Sequence, residues 1–253
     1  MDDLPVAGAK NSVNWLKMAA AVLILLVSGL VINYLLYRND VQYETAGNTL
    51  SIELPDGSTV VLNQRSALLY KPSFGEENRT VELDGEGYFS VRPDPSKPFI
   101  IETSKGVVRV LGTSFTVLSY DSLQNVEVVV ESGVVKFSVP EARTEMQLTA
   151  GQKAVYHKDR KVLTTGLNDD VNFLSWKTGK MIFTNTPLLK VIETLNKTYH
   201  ANITLSSAAA ETCVVTVTFE GQSLEAVLKV LESTLNLATR RNGNEIIING
   251  EGC

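Results

Sequence analysis

Hydrophobic positions along the chain fall into three successive regimes. From Met18 to Tyr37, twenty residues carry no charge and are dense in Ala, Val, Ile and Leu. At 1.5 Å per residue, a helix of that length spans about 30 Å, the thickness of bilayer hydrocarbon. Ser28, Gly29 and Asn33 are tolerable interruptions, and Trp15 at one end with Tyr34 and Tyr37 at the other suit the two interfaces. A cleaved signal peptide would have a shorter apolar core, roughly 7 to 15 residues, ending at small side chains. This run ends in the bulky "NYLLYRND". The pattern predicts a transmembrane helix over residues 18–37, preceded by a short cytoplasmic segment, 1–17. Lys10 and Lys17 before the span, against Arg38 after it, place the N-terminus in the cytoplasm and the bulk outside.

The second regime, a predicted domain over 45–166, has period two. "SIELPDGSTVVLN" reads as a hairpin, with Ile52 and Leu54 on one arm and Val60 and Leu62 on the other. Pro55-Asp56-Gly57 supplies the turn: proline pre-sets φ, aspartate bonds its own backbone and glycine takes positive φ. Further runs, among them "RTVEL", "GYFSV", "PFIIET", "VVRVLG", "SFTVLSY", "VEVVVES" and "GVVKFSV", are separated by turn residues. Strands this frequent with no helical run between them predict an all-β sandwich, barrel or solenoid-like stack.

After Asn168-Asp169-Asp170, read as a linker, the texture changes to an α/β pattern over 172–250. "TPLLKVIETLNKTY" predicts a helix with Thr186 as N-cap and Pro187 at its first position. "SLEAVLKVLESTLN" predicts a second, with Ser223 as N-cap and Glu225 near the positive end of the dipole. "KMIFTN", "ANITLS", "CVVTVTF" and "NEIIING" read as strands. The spacing of Phe183, Leu188, Val191, Ile192 and Leu195 recurs at Phe219, Leu224, Val227, Leu228 and Leu231, offset by 36 residues. The repeat predicts two β-α-β units in one compact domain, with helices on one side of a small sheet.

Composition narrows the chemistry. A net charge of −5 makes nucleic acid a poor partner. Cys213 and Cys253, with two histidines, form no CxxC or His-rich set, so no metal or cofactor is expected. A disulfide between the two is compatible with an oxidising compartment, although a terminal cysteine is rarely well placed. His157 and His200 sit at element edges and read as surface or capping residues. GxSxG is absent. In "ELDGEGYFSVRP", Asp84 and Glu86 suggest an acid pair and Gly85-Glu86-Gly87 a phosphate loop. No helix follows to bind phosphate, and Asp84-Gly85 reads instead as a two-residue hairpin turn. Asn78, Asn196 and Asn202 open short glycosylation matches of the kind that arise by chance. Nothing here is an enzyme signature; the pattern points to binding or relay.

"LPDGSTVVLN", "RTVELDGEGYFSV", "KPFIIET", "GVVRVLGTSFTV" and "LTAGQKAV", in this order after one span, resemble the FecR family over roughly residues 49–155. Residues 172–249 are similar to that family's small C-terminal domain and to the short N-terminal domain of secretins and TonB-dependent transducers. The resemblance implies a single-pass inner-membrane regulator with its bulk in the periplasm. Its partners would be the signalling domain of a TonB-dependent outer-membrane receptor and an extracytoplasmic-function sigma factor. Some members of that family are cut at a Gly-Thr in this region, which would place self-cleavage at Gly112-Thr113 by attack of the Thr113 hydroxyl on the Gly112 carbonyl; the alternative is that Gly112 simply permits a bulge or bend in a strand. Relatives carry a folded cytoplasmic segment before the span, and residues 1–17 are too short to wrap a sigma factor. Either the start is truncated or the chain relays without binding sigma directly. The alternative is a membrane-tethered periplasmic scaffold or ligand-binding module.

Overall fold

The computed structural model describes residues 13–36, 40–76, 78–206 and 213–250. Helix α1 spans Val13–Leu36, and its described side chains are exposed along its length. Its window Lys17–Tyr34 has a mean hydropathy of 1.9 and is long and apolar enough to cross a membrane. An apolar surface this continuous with no protein against it matches hydrocarbon rather than water. Tyr37 and Arg38, expected at the outer interface, lie outside the described residues, as do Lys10 and most of the segment before the helix.

The β module is a thirteen-stranded sheet folded over one apolar core. Its organising strand is β5, Arg79–Ser90. The first half of β5 pairs with β4 (Ala67–Tyr70) and, in parallel, with β6 (Phe99–Glu102). Its second half pairs with β3 (Thr59–Leu62) and β8 (Ser114–Ser119). From the first half one arm continues through β6, β7 (Val107–Val110), β10 (Val134–Val139) and β11 (Thr144–Thr149). From the second half the other arm continues through β8, β9 (Asn125–Ser132), β12 (Gln152–His157) and β13 (Val162–Leu167). Strands β1 (Val41–Glu44) and β2 (Leu50–Glu53) add to β4 and β3. Ile52 faces Val60 across the β2–β3 hairpin, as its alternation predicts.

Asp84-Gly85 is therefore not a hairpin turn. The strand continues through it without a turn, and Gly85 is the bend at which β5 leaves one arm and joins the other. Its φ is +116°, and a Cβ there would lie 2.3 Å from Ser66 Oγ and 2.6 Å from Ser66 Cα. Only glycine satisfies both the backbone angle and the contact. The two-residue turn signal was misleading because the strands on either side have different neighbours, which local sequence does not record.

The two arms meet over Phe89, which stacks on Phe115 at 5.5 Å and meets Phe99 edge-on at 6.2 Å between ring centroids. At the start of β5 the buried Arg79 guanidinium gathers two loops, the β2–β3 turn and the β5–β6 connection. It donates to Asp56 Oδ2 at 3.0 Å, Lys97 O at 2.8 Å, Arg92 O at 2.8 Å and Asp94 O at 3.3 Å, and lies 5.7 Å over the Phe99 ring. Asp56 also accepts from Ser58 N and Oγ, so the turn residue holds its own hairpin and a buried cation together.

The C-terminal part has its own apolar core. A short α2 (Ser175–Thr178) leads into β14 (Lys180–Pro187), α3 (Leu188–Tyr199) and β15 (Asn202–Leu205). Then follow β16 (Val214–Glu220), α4 (Leu224–Leu235), β17 (Ala238–Asn242) and β18 (Glu245–Asn249). The strands form two sheets rather than one: β14 pairs antiparallel with β16, and β15–β18–β17 is separate. The repeated phenylalanines, Phe183 and Phe219, meet edge-on at 6.3 Å, so the sequence echo marks two units packed against each other. Ser223 caps α4 as expected, accepting from Ala226 N at 3.3 Å. The start of α3 differs. Pro187 itself is the N-cap, with no side-chain bond, and Thr186 belongs to β14. Cys213, at the entry to β16, is disulfide-bonded; the chain's other cysteine, Cys253, lies outside the described residues.

Replacing Arg79 by Ala leaves Asp56 and three carbonyls facing an unfilled buried site. The loss expected is about 3–5 kcal/mol, read as a lower midpoint of denaturant unfolding; Arg79→Lys restores only part, because one ammonium cannot reproduce the fork. Gly85→Ala is expected to impair folding severely, whereas Gly151→Ala, with φ +80° but nothing within 4 Å of the new Cβ, loses only about 1 kcal/mol. Equal effects in thermal melts would contradict the role given to Ser66.

Candidate functional site at the module junction

The sequence marked two places on the β module. The first is Gly112-Thr113, the corner where the chain passes from β7 on one arm to β8 on the other. A Cβ on Gly112 would lie 2.6 Å from Pro93 Cα, so the corner is packed shut on that side. Thr113 is buried and its hydroxyl donates to Val134 O at 2.9 Å. The opposing corner, Gly133 between β9 and β10, is so close that its own Cβ would sit 2.9 Å from Gly112 O and from Thr113 Oγ1. A cleft of about 420 Å³ borders the corner, lined by Leu111, Gly112, Thr113 and Val134 with Arg109 and Lys136 at its rim. The glycine is explained by packing alone. No carboxylate or imidazole lines the cleft.

The second place is the acid pair. Asp84 and Glu86 do lie in one strand, on the outward side, but their surroundings diverge. Asp84 is exposed, while Glu86 is 4 % exposed. An outward position of the sheet is buried here because the C-terminal module covers it. Asn63, just past β3, donates from Nδ2 to Glu86 Oε2 at 2.7 Å. Asn63 Oδ1 accepts from Gln64 N at 2.8 Å and pairs with Nε2 of His200 at 3.0 Å. Since that oxygen is an acceptor, His200 supplies the proton and is held as the Nε2–H tautomer. His200 sits in the left-handed conformation that ends α3, so its capping role and its reach to Asn63 are one feature.

Trp176, on α2, completes the contact. Its indole is buried beside the Glu86 carboxylate, and its N–H forms no full hydrogen bond among the described residues. Its neighbour Lys177 lies 4.0 Å over the Tyr88 ring, whose hydroxyl donates to Glu131 Oε2 at 2.7 Å. Beside this junction an open cleft of about 490 Å³ runs between Arg65, Asp84, Tyr120 and Asp121 on one wall and His200 on the other. His157 is elsewhere, paired with Asn125 at 2.9 Å. The described residues contain no group of His, Cys, Asp and Glu able to hold a metal ion.

Sequence reasoning set Glu86 aside as half of an acid pair and missed its junction with Asn63 and Trp176. The available signal was Trp176 itself, one of the chain's two tryptophans, placed in the stretch "NDDVNFLSWKTGK" right after the linker.

Burial pushes the Glu86 carboxyl above its ordinary range, with Lys197 and Asn63 opposing the shift and Glu127 adding to it. Burial pushes His200 below its ordinary range, helped by Arg65. The signs differ. A raised acid favours the closed junction fully below pH 4.5, and that contribution fades as pH rises through the shifted value. A depressed imidazole favours closure above pH 6.5, and that contribution fades as pH falls. Glu86→Gln is therefore expected to stabilise the protein at neutral pH and to flatten its stability profile above pH 4.5. Chemical denaturation across pH checks this; an unchanged profile would show the carboxyl to be solvated.

Comparison with known proteins places this architecture. The family model described as "FecR protein" matches residues 41–136, and that described as "FecR, C-terminal" matches 180–248. Two crystal structures from Parabacteroides distasonis ATCC 8503, each of a candidate anti-sigma factor, are similar in fold. One has a TM-score of 0.65 at 27 % identity, covering 85 % of this chain and 100 % of that one. The other has a TM-score of 0.64 at 28 % identity, covering 82 % and 98 %. A search of curated proteins finds no match. Both halves of the extramembrane chain are thus matched in order by models of one regulatory family, and the chain belongs to the FecR family.

Proposed function

We propose that the chain is a single-pass inner-membrane regulator that relays a signal from a TonB-dependent outer-membrane transducer to an extracytoplasmic-function sigma factor. The observation that carries this reading is one exposed apolar helix joined within a few residues to the two FecR modules. The domain plan follows: a cytoplasmic segment over 1–17, the span over 18–37, the β module over 45–166 and the receiving module over 172–250. The disulfide at Cys213 supports a periplasmic location for the last of these, since such bonds persist in oxidising compartments. The similarity to candidate anti-sigma factors supports the sigma end of the relay. No catalytic residue or cofactor enters this reading.

Self-cleavage at Gly112-Thr113 belongs to the same proposal. Thr113 Oγ would bond to the Gly112 carbonyl carbon as the Gly112–Thr113 C–N bond breaks, the hydroxyl proton passing to the departing nitrogen, leaving an ester and a free amine. Water then hydrolyses the ester. The hydroxyl must first release Val134 O, so cleavage requires the β8–β10 corner to loosen.

Two measurements test the reading. Deleting the chromosomal gene should change, at least several-fold, the transcription driven by the sigma factor encoded beside it when the transducer's ligand is added. Unaltered transcription with intact binding to the transducer would favour the tethered scaffold instead. Blotting the full chain expressed in its host should reveal two fragments that Thr113→Ala abolishes; a single intact chain in both would sink self-cleavage.

A further inference from the structure

The outward face of the arm that runs through β6, β7, β10 and β11 is sorted by charge. Register carries one row of residues across it from Gln42 on β1 to Glu145 on β11, and the row includes the exposed acids Glu82, Glu102 and Glu145. Two residues along each strand, about 7 Å away, the next row reads Thr80, Ile100, Arg109, Lys136 and Gln147, with two cations side by side. Continued by register to β4 and β1, it reaches Lys71 and Asp40, whose charges offset each other. Two residues further lie Leu111, 47 % exposed, and Val134, 45 % exposed. The face thus passes from acids to cations to apolar side chains.

The cation pair is unexplained by the protein itself. Arg109 stands directly opposite Lys136 in the β7–β10 ladder. Like charges so placed are destabilising. Other exposed lysines of the β module have acids to hand: Lys105 lies 2.9 Å from Glu141 and Lys153 lies 2.8 Å from Asp169. Among the described residues, neither Arg109 nor Lys136 is in an ion pair. The cleft of about 420 Å³ described above joins them to Leu111 and Val134. A site of this kind is suited to an anion that carries apolar substance with it.

The path of the chain gives the face a direction. Helix α1 ends at Leu36 and β1 begins at Val41, so even an extended chain keeps β1 within about 18 Å of the helix end. Val41 lies on the inward-pointing rung between the acid and cation rows, with Tyr70, Val81, Ile101, Val108 and Phe137. From there β1 runs on to Gln42 in the acid row. The chain therefore arrives from the cation side. Counted away from that side, the rows are apolar, cationic and acidic, the order in which a bilayer presents hydrocarbon, phosphate and water.

We infer that this face seats the β module on the anionic phospholipid surface of the membrane that holds α1. Arg109 and Lys136 meet lipid phosphates, and Leu111 and Val134 enter the boundary of headgroup and acyl chain. The inference rests on the membrane anchoring proposed above and not on the relay. A chain of net charge −5 is repelled from such a surface as a whole, so the two cations decide which face turns toward it. A soluble anion would answer the cations but leave Leu111 and Val134 in water. A second copy would set each acid row against the other's cations and leave both apolar rows outside the contact.

The test places the full chain, one per disc, in lipid nanodiscs. One set is phosphatidylcholine alone and the other an equal mixture with phosphatidylglycerol. A nitroxide is attached at Val134→Cys, or at Leu111→Cys should the first misfold, and a matched one at Glu145→Cys. Labelling without reductant keeps the disulfide at Cys213 closed. In the anionic discs the label at 134 should be shielded from a water-soluble relaxation agent, and the label at 145 should not. Each cation is expected to raise the seated-to-free ratio about fivefold, so Arg109→Gln with Lys136→Gln lowers it about thirtyfold. Added salt should lower it in the same direction. Both side chains are exposed, and an unaltered thermal melt verifies the fold of the double variant. Equal exposure of the two labels in anionic discs would overturn the inference and leave the anchor standing. Equal shielding at 134 in both lipids, or shielding untouched by the double variant, would overturn the assignment to phosphate. Shielding that inorganic phosphate produces in detergent micelles, unchanged by anionic lipid, would assign the cations to a soluble anion and overturn it. Shielding seen only when several chains share a disc would identify a second copy and overturn it equally. A chain that fails to enter the discs would defeat the anchor, and this seating with it.

Discussion

Strands of both arms of the β module take their register from β5, and β5 keeps its path because residue 85 has no side chain. The twelve residues Arg79–Ser90 serve two arms that could not otherwise share a core. Their first residue binds two loops through one guanidinium. Their midpoint bends where a Cβ would strike Ser66. Just after the bend, Glu86 and Tyr88 turn outward to meet the second module. Framework, bend and junction thus depend on one stretch, and a change at Gly85 would displace all three.

Much of this was legible in the alternation of side chains. The β2–β3 hairpin and the two helices of the second module follow from local periodicity and spacing. The continuity of β5 does not, because a glycine flanked by acids looks the same in a turn and in a bend. The distinction lies in Ser66 and in the partners β3, β4, β6 and β8, which are remote in sequence. The burial of Glu86 was hidden for the same reason: what covers it, Trp176 and His200, arrives about ninety residues or more later in the chain. Pro187 as a cap was obscured because Thr186 is the better capping residue in isolation, yet β14 claims it first. The bonds that Asn172 makes to both backbone groups of Ile182, and Asn196 to those of Ile203, were invisible because only the fold brings those strands beside them.

The two modules have separate apolar cores, and what joins them is polar: an amide between a carboxylate and an imidazole, an indole N–H without a full partner, and a lysine over a tyrosine ring. Such a contact gains little from water exclusion and bears the cost of desolvating a carboxylate. Interfaces of this kind permit relative motion of domains. The junction is built to be held without being fused, which suits the receiving role proposed for the second module.

The side chains bonded along the outer edge of β14 have a consequence for pairing. A sheet that accepts a strand at one edge presents a fresh edge on the newcomer and still has its own far edge to offer. With the far side of β14 sealed by Thr178, Asn172 and Thr186, that edge has no backbone N–H left at Lys180, Ile182 or Thr184 to offer a further strand. Three hydroxyl and amide side chains thus close one side of this two-stranded sheet to pairing.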